Sequence, residues 1–237
     1  MSERSSEKAQ RLRVRFARGP EAERVGHLDL AREWEQAFLK AGIAPSYSEG
    51  NKPRPRITIA AGLPSGATSD GELVDAILAR HMRADEVVER VQPYLAPGLT
   101  ARDAWEVGMG LPSLPSAVRW ADYEVEVVAG EGEANLRARI ASFLAAGQLP
   151  WEDSRGEKTR HYDLRALVPE LALDKECGGS ACLRMRLRCD ATGVGRPDQV
   201  VLALGLPGAT RIHRLRLVLA EVSPARDAWR RRGRFVG

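Results

Sequence analysis

The chain has 237 residues, 43% of them hydrophobic and 29% charged, with a formal net charge of +4. That is enough for one large or two small domains with packed cores. No apolar run approaches the roughly 20 residues of a membrane helix, and the polar start MSERSSEKAQR lacks the apolar core of an export signal, so a cytoplasmic protein with no membrane partner is expected.

Only five of the 36 basic residues are lysine. Arginine's planar fork suits phosphate and RNA better than a lysine point charge does. An arginine-rich composition also follows from a GC-rich genome, so only the placement of these residues can carry function. Cys177, Cys182 and Cys189 are spaced four and six residues apart, neither a C-x-x-C pair nor the C-x-x-x-C-x-x-C run that holds a radical-enzyme iron–sulfur cluster. Free thiols are expected, with no metal.

Residues 1–10 are charged and offer nothing to bury, which predicts a disordered N-terminus. In RLRVRFA, Leu12, Val14 and Phe16 alternate with Arg11, Arg13 and Arg15, the period of a half-buried strand. Leu30, Ala31, Trp34, Ala37, Phe38 and Ala41 then recur at helical spacing, with Gly42 placed for a left-handed cap. RITIAAG reads as a strand, GELVDAILAR fits strand or helix, ADEVVERVQPYL is a short helix, and LTARDAWEV returns as a strand.

With residues 72–80 as a strand, residues 11–108 read βαββαβ, a ferredoxin-like unit. GMGLPSLPSA, within residues 109–121, reads as a linker. The second half repeats the pattern: a strand at 122–128, a helix at 133–146, a hairpin near PWEDSRGEKTRHYDL, a strand at ACLRMRLRCD, a short helix opened by Pro197, and a strand at TRIHRLRLVL. The expected fold is therefore α+β, two tandem ferredoxin-like units with antiparallel sheets at 11–108 and 122–222, followed by a basic tail at 223–237.

Both helices of such a unit cover one sheet face, leaving the other open to RNA or a partner. On the second unit that face would carry Arg184, Arg186 and Arg188 on one strand and Arg214 and Arg216 on another, with Glu124 and Glu126 between; Arg11, Arg13 and Arg15 repeat the pattern in the first. Two readings stand: cross-strand Arg–Glu ladders on a solvated face, or a polyanion-binding surface. No aromatic residues interleave with these arginines to make a stacking platform.

The stretch SYSEGNKPRPRITIAAGLPSG is the other candidate. The helix that follows His27 could bring its N-terminus beside this loop, so that His27, Asp29, Ser48, Asn51, Lys52, Arg54 and Arg56 converge on an anion. Alternatively His27 and Asp29 cap the helix, and Asn51, Pro53 and Pro55 set a rigid turn. His81, His161 and His213 show no metal spacing. HYDLR places His161, Asp163 and Arg165 on alternate positions, more in keeping with a strand-edge ion pair than a catalytic dyad.

The stretch VGHLDLAREWEQAFLKAGIAPSYSEGNKPRPRITIAAGLPSG, then HYDLRALV and GRPDQVVLALG with RIHRLRL, carries a full-length family resemblance. The chain resembles the radical-SAM-linked domain of unknown function, bacterial proteins fused to or associated with a radical S-adenosylmethionine protein. Lys52 stands where such loops are often apolar or aromatic. The resemblance implies a radical SAM partner, which would carry the iron–sulfur cluster and S-adenosylmethionine, no cofactor in this chain, and a setting in RNA chemistry.

The expected function is a non-catalytic accessory module that helps present an RNA or other anionic substrate. One alternative is a metal-independent endoribonuclease in which His27 is base or acid, helped by Tyr47 and Lys52. A protein-only scaffold is the third.

Overall fold

The computed structural model describes residues 6–22, 25–128, 132–156, 158–177 and 180–220. Strand β1 (Gln10–Arg18) leads to helix α1 (His27–Lys40), strand β2 (Ile57–Ile59), strand β3 (Thr68–Leu78), helix α2 (Ala84–Val91) and strand β4 (Leu99–Glu106). After the short helix α3 (Leu114–Ala117) come β5 (Val118–Val127), α4 (Glu133–Ala145), the strands β6 (Pro150–Arg155) and β7 (Lys158–Asp163), then β8 (Glu170–Cys177), β9 (Ser180–Asp190), β10 (Gly193–Val194), α5 (Pro197–Ala203) and β11 (Ala209–Leu219). The basic tail expected at 223–237 lies outside the described residues, as do residues 1–5.

The periodic signals locate most elements. In α1, Leu30, Trp34, Ala37 and Phe38 are all buried, which is the apolar stripe their spacing demands. Gly42 ends the helix with φ 69°, its N–H donating to Leu39 O at 3.1 Å while Ile43 N–H donates to Phe38 O at 2.8 Å, a Schellman closure. Trp34 meets the edge of Phe16 from β1 at 5.2 Å between ring centroids, so helix and strand lock through one aromatic contact.

The ambiguous GELVDAILAR is strand: Val74, Ala76 and Leu78 pack beneath α1 while Leu73 joins the second core. A central strand buried on both faces loses its alternation, which is why the pattern fitted two periods. Strand β5 begins at Val118, within the stretch whose prolines and glycines predict a linker. One partner of β9 is β8, a strand absent from the periodic pattern, and the expected hairpin β6–β7 forms a separate two-stranded sheet.

The fold is mixed α+β and mostly antiparallel. One nine-stranded sheet runs β10-β9-β5-β11-β3-β1-β4, with β2 added to β3 and β8 to β9. In the first half β1 lies between β3 and β4, and in the second β5 lies between β9 and β11. Each half has its own apolar cluster, one around Trp34 and one around Val125, Leu183 and Val200.

The halves join where β11 meets β3 in parallel, His213 opposite Thr68 and Arg214 opposite Ser69. A β-bulge between Arg214 and Arg216 turns these two side chains to opposite faces. Arg214 thereby leaves the expected open face and is fully buried: its Nε donates to Glu72 Oε1 at 2.7 Å, its Nη2 to Glu72 Oε2, and its Nη1 to Gly62 O at 2.9 Å. Beside it, a Cβ on Gly71 would sit 2.5 Å from Leu215 O and 2.6 Å from Arg216 Cα, so the two backbones approach as only glycine allows.

Glu72→Gln leaves a guanidinium buried without its counter-charge and should cost about 3–5 kcal/mol in urea unfolding, most of it recovered in Glu72→Met/Arg214→Met. Gly71→Ala should lower stability by about 1–3 kcal/mol by forcing β3 from β11. An unchanged urea midpoint in either single variant would contradict this account of the joint.

Candidate anion-binding site

The stretch SYSEGNKPRPR folds back on itself. Ser48 N–H donates to Arg54 O at 2.8 Å, Arg54 N–H to Ser48 Oγ at 3.0 Å and Arg56 N–H to Ser46 O at 2.8 Å, with Tyr47 bridged to Pro55. Ser48 is thus a part of the turn. The hairpin is pinned to α1 by Tyr47, whose hydroxyl donates to Glu35 at 2.8 Å. Its tip exposes Asn51, Lys52 and Arg54, whose side chains have no partner among the described residues.

His27 opens α1, but its side chain lies outside the described residues. The hairpin's anchor at Glu35 is eight residues further along, roughly 12 Å of helix rise. The expected cap is replaced by Gly26, which makes no side-chain capping bond, and Asp29 is exposed and paired with Arg32 at 3.3 Å. Convergence of Lys52, Arg54 and Arg56 with His27 is not among the described contacts.

The arginines of the expected basic face are answered by carboxylates. On the second half Arg186 is gripped by Asp122 at 2.7 Å and Glu170 at 2.8 Å, Arg184 by Asp174 at 2.6 Å, and Arg216 by Asp122 at 2.8 Å. Arg188 lies 5.0 Å from the Trp120 ring centroid and bonds Thr192 at 2.8 Å. Burial alone would raise the Asp122 pKa, but the hydrogen bonds and charge of Arg186 and Arg216 outweigh it and hold the carboxyl below its ordinary value. Of the expected acidic pair, Glu126 holds Arg211 at 2.7 Å and Glu124 stands 3.9 Å from Arg184.

In the first half the face is not open. Arg15 is exposed and paired with Asp103 at 2.8 Å, but Arg11 and Arg13 are 7% and 6% exposed. Both clasp Asp75: Arg11 Nη2 at 2.6 Å and Arg13 Nε at 2.7 Å. Arg11 also donates to Leu111 O and Pro112 O at 3.0 and 2.8 Å, which ties the 107–114 segment across the sheet.

Between that segment and β2 lies a cleft of about 400 Å³. Its floor is Arg11 and Asp75. Arg56, Thr58, Ser113 and Met109 stand on its walls, and among the described residues the Arg56 side chain spends only its Nε on a hydrogen bond, to Tyr47 O at 3.2 Å. Sequence spacing points to Arg11 and Arg56 but not to the cleft or its carboxylate. The available signal was Asp75 itself, a lone charge in the otherwise apolar LVDAIL, which a buried strand keeps only if paired.

The remaining candidates are structural. His213 bonds Thr68 at 2.7 Å and Asp70 at 3.1 Å, and His81 and His161 are exposed. Asp163 is neither a dyad member nor an ion-pair partner of Arg165: its Oδ1 accepts from Leu149 N–H at 2.8 Å and Arg165 N–H at 3.0 Å, closing a turn. Cys182 and Cys189 are buried, burial pushes the Cys189 thiol up, and the Cys177 side chain lies outside the described residues. No group of three metal-ligating side chains occurs among the described residues, and no described helix is long and apolar enough to cross a membrane.

Because the Asp122 pKa is lowered by folding, its contribution is complete above the unfolded carboxylate range near pH 4 and is lost as the pH falls below it. Asp122→Asn should therefore cost about 1–3 kcal/mol in urea unfolding at pH 7 and progressively less toward pH 3. A deficit that stays constant with pH would contradict the pairing.

No curated protein matches the chain. Among solved structures it is similar to one from a Cbf5-Nop10-Gar1 complex, at 10% identity with a TM-score of 0.44, covering 86% of this chain and 48% of that one. It is also similar to one from the archaeal box H/ACA sRNP Nop10-Cbf5 complex, at 12% identity and a TM-score of 0.42, covering 88% and 48%. The chain spans about half the length of each, and the fold rests on its own strand order. A family profile matches residues 11–197, and the chain belongs to that family, described as an uncharacterized protein conserved in bacteria (DUF2344).

Proposed function

We propose that the chain is a non-catalytic accessory module that associates with a radical S-adenosylmethionine enzyme and helps present an RNA or other anionic substrate. The observation that carries it is the contrast in how arginines are used. Those of the expected sheet face are matched by carboxylates or buried, whereas Lys52 and Arg54 project from the hairpin tip without partners among the described residues, with half-buried Arg56 below. Unpaired, exposed cations contribute to phosphate binding by releasing counterions, which paired ones do far less.

The radical SAM partner rests on the resemblance in the same hairpin and in the helix that anchors it. We read each half as a ferredoxin-like unit: the first has strand order β4-β1-β3-β2 and the second β11-β5-β9-β8, each with helices after its first and third strands, the second half also carrying the β6–β7 insertion. The iron–sulfur cluster and S-adenosylmethionine would belong to the partner.

Two measurements test this. Tagged chain expressed with the radical SAM protein should co-purify with it, and a complex absent at low salt would defeat the association. In fluorescence anisotropy, Lys52→Ala/Arg54→Ala should weaken RNA binding about tenfold and lower its salt slope by about 2, whereas Arg184→Ala should change little. RNA affinity insensitive to the hairpin substitutions would defeat the presenting role.

A further inference from the structure

The floor of the cleft beside β2 carries more positive charge than it neutralises. Arg11 and Arg13 share the single carboxylate of Asp75, and all three side chains are less than a tenth exposed. Asp75 is the one acidic residue lining the cleft. Arg56 adds a third guanidinium whose terminal nitrogens have no partner among the described residues. Arg11 and Arg56 line the cleft while Arg13, behind it, draws on the same carboxylate, so three guanidiniums against one carboxylate leave two charges unmatched in and beneath a partly desolvated place, an arrangement that is costly unless an anion completes it.

The walls say what kind of anion. A phosphate monoester carries about −1.5 to −2 charges at neutral pH and accepts from several donors at once; a carboxylate would match only half of the excess. Thr58 and Ser113 offer hydroxyls, while Ile57, Met109 and Leu111 offer an apolar wall beside them. The volume of about 400 Å³ suits a small organic body rather than a bare ion.

We infer that this cleft is a binding site for a phosphate monoester on a small body with an apolar face, the phosphate held by Arg56 and Arg11, with Arg13 adding its charge from behind Asp75, and the body lying against Met109 and Leu111. The ester is either a free small molecule or the terminal phosphate of an RNA. The site is separate from the hairpin tip and does not require the RNA-presenting role.

Isothermal titration with phenyl phosphate, benzoate and benzyl alcohol tests it on the full chain. One phenyl phosphate should bind per chain, benzoate about tenfold or more weakly, and benzyl alcohol not measurably. Arg56→Gln should weaken phenyl phosphate about tenfold or more. Because Arg56 also supports the hairpin, Thr58→Trp, which fills the cleft mouth from an exposed strand position, serves as a second variant and should abolish binding with the melting temperature unchanged.

Lys52→Ala/Arg54→Ala should leave phenyl phosphate binding intact, so that failure of the hairpin proposal and failure of the cleft can be told apart. Displacement of phenyl phosphate by a 5′-phosphorylated but not a 5′-hydroxyl RNA would identify the RNA end as the source, and displacement by neither would identify a small molecule. The inference is overturned if phenyl phosphate does not bind, if benzoate binds as well or better, or if folded Arg56→Gln and Thr58→Trp both bind as the parent chain does.

Discussion

The ion pair between Arg214 and Glu72 sits where the two halves of the sheet meet, and it is 0% and 1% exposed. Taking both charges out of water costs several kcal/mol per ion, repaid only by near-ideal geometry and by further hydrogen bonds. The geometry is a two-point fork on Glu72, with Gly62 O accepting from Nη1. Burial opposes the charged guanidinium, but Glu72 more than compensates and its pKa is raised. Tyr123, whose ring centroid lies 5.9 Å from the guanidinium carbon, has its hydroxyl pushed up by the same burial. A pair this unforgiving holds the parallel step of β11 on β3, and the sheet order on either side depends on that step.

The same logic runs through the rest of the molecule. An arginine-rich chain that folds into a large sheet must find acceptors for its guanidiniums, and this one finds them across strands: Asp122 between Arg186 and Arg216, Asp174 beside Arg184, Asp103 beside Arg15. An exposed pair such as Arg15–Asp103 contributes little and the partly buried Asp122 contributes more, but together they weaken the field that a polyanion would feel. Among the described residues, Lys52 and Arg54 are left without partners together at the hairpin tip, and the terminal nitrogens of Arg56 are left without partners in the cleft. Function is therefore sought where charge is left over rather than where it is most abundant.

Much of the fold was legible from spacing. Trp34 and Phe38 announced α1 and Gly42 its end, and Pro197 opens α5 at the first helical position as expected. The misses have physical causes. ELALDKEC is a short strand whose place in the pattern was taken by the neighbouring β6–β7 hairpin. In SYSEGNKPRPR the prolines and Asn51 point to a rigid turn, but the hairpin it closes depends on the Ser48 hydroxyl reaching Arg54 N–H, which spacing does not show. Arg56 was legible as a candidate, but the cleft around it depends on Arg11 drawing the carbonyls of Leu111 and Pro112 over the sheet.

By itself the sequence determined most of the elements, because hydrophobic period and the turn chemistry of Gly42 and Pro197 act over a few residues. It also determined that arginine would be the cation to place. Tertiary structure alone decided which arginines are spent. Alternation put Arg11, Arg13 and Arg214 on an outer face, yet the first two are buried on Asp75, Arg11 beneath Leu111 and Pro112, and a β-bulge turns the third inward. Their carboxylates are 64, 62 and 142 residues away in the chain. Neutralisation is a matter of distance in space, and a local pattern carries no information about that.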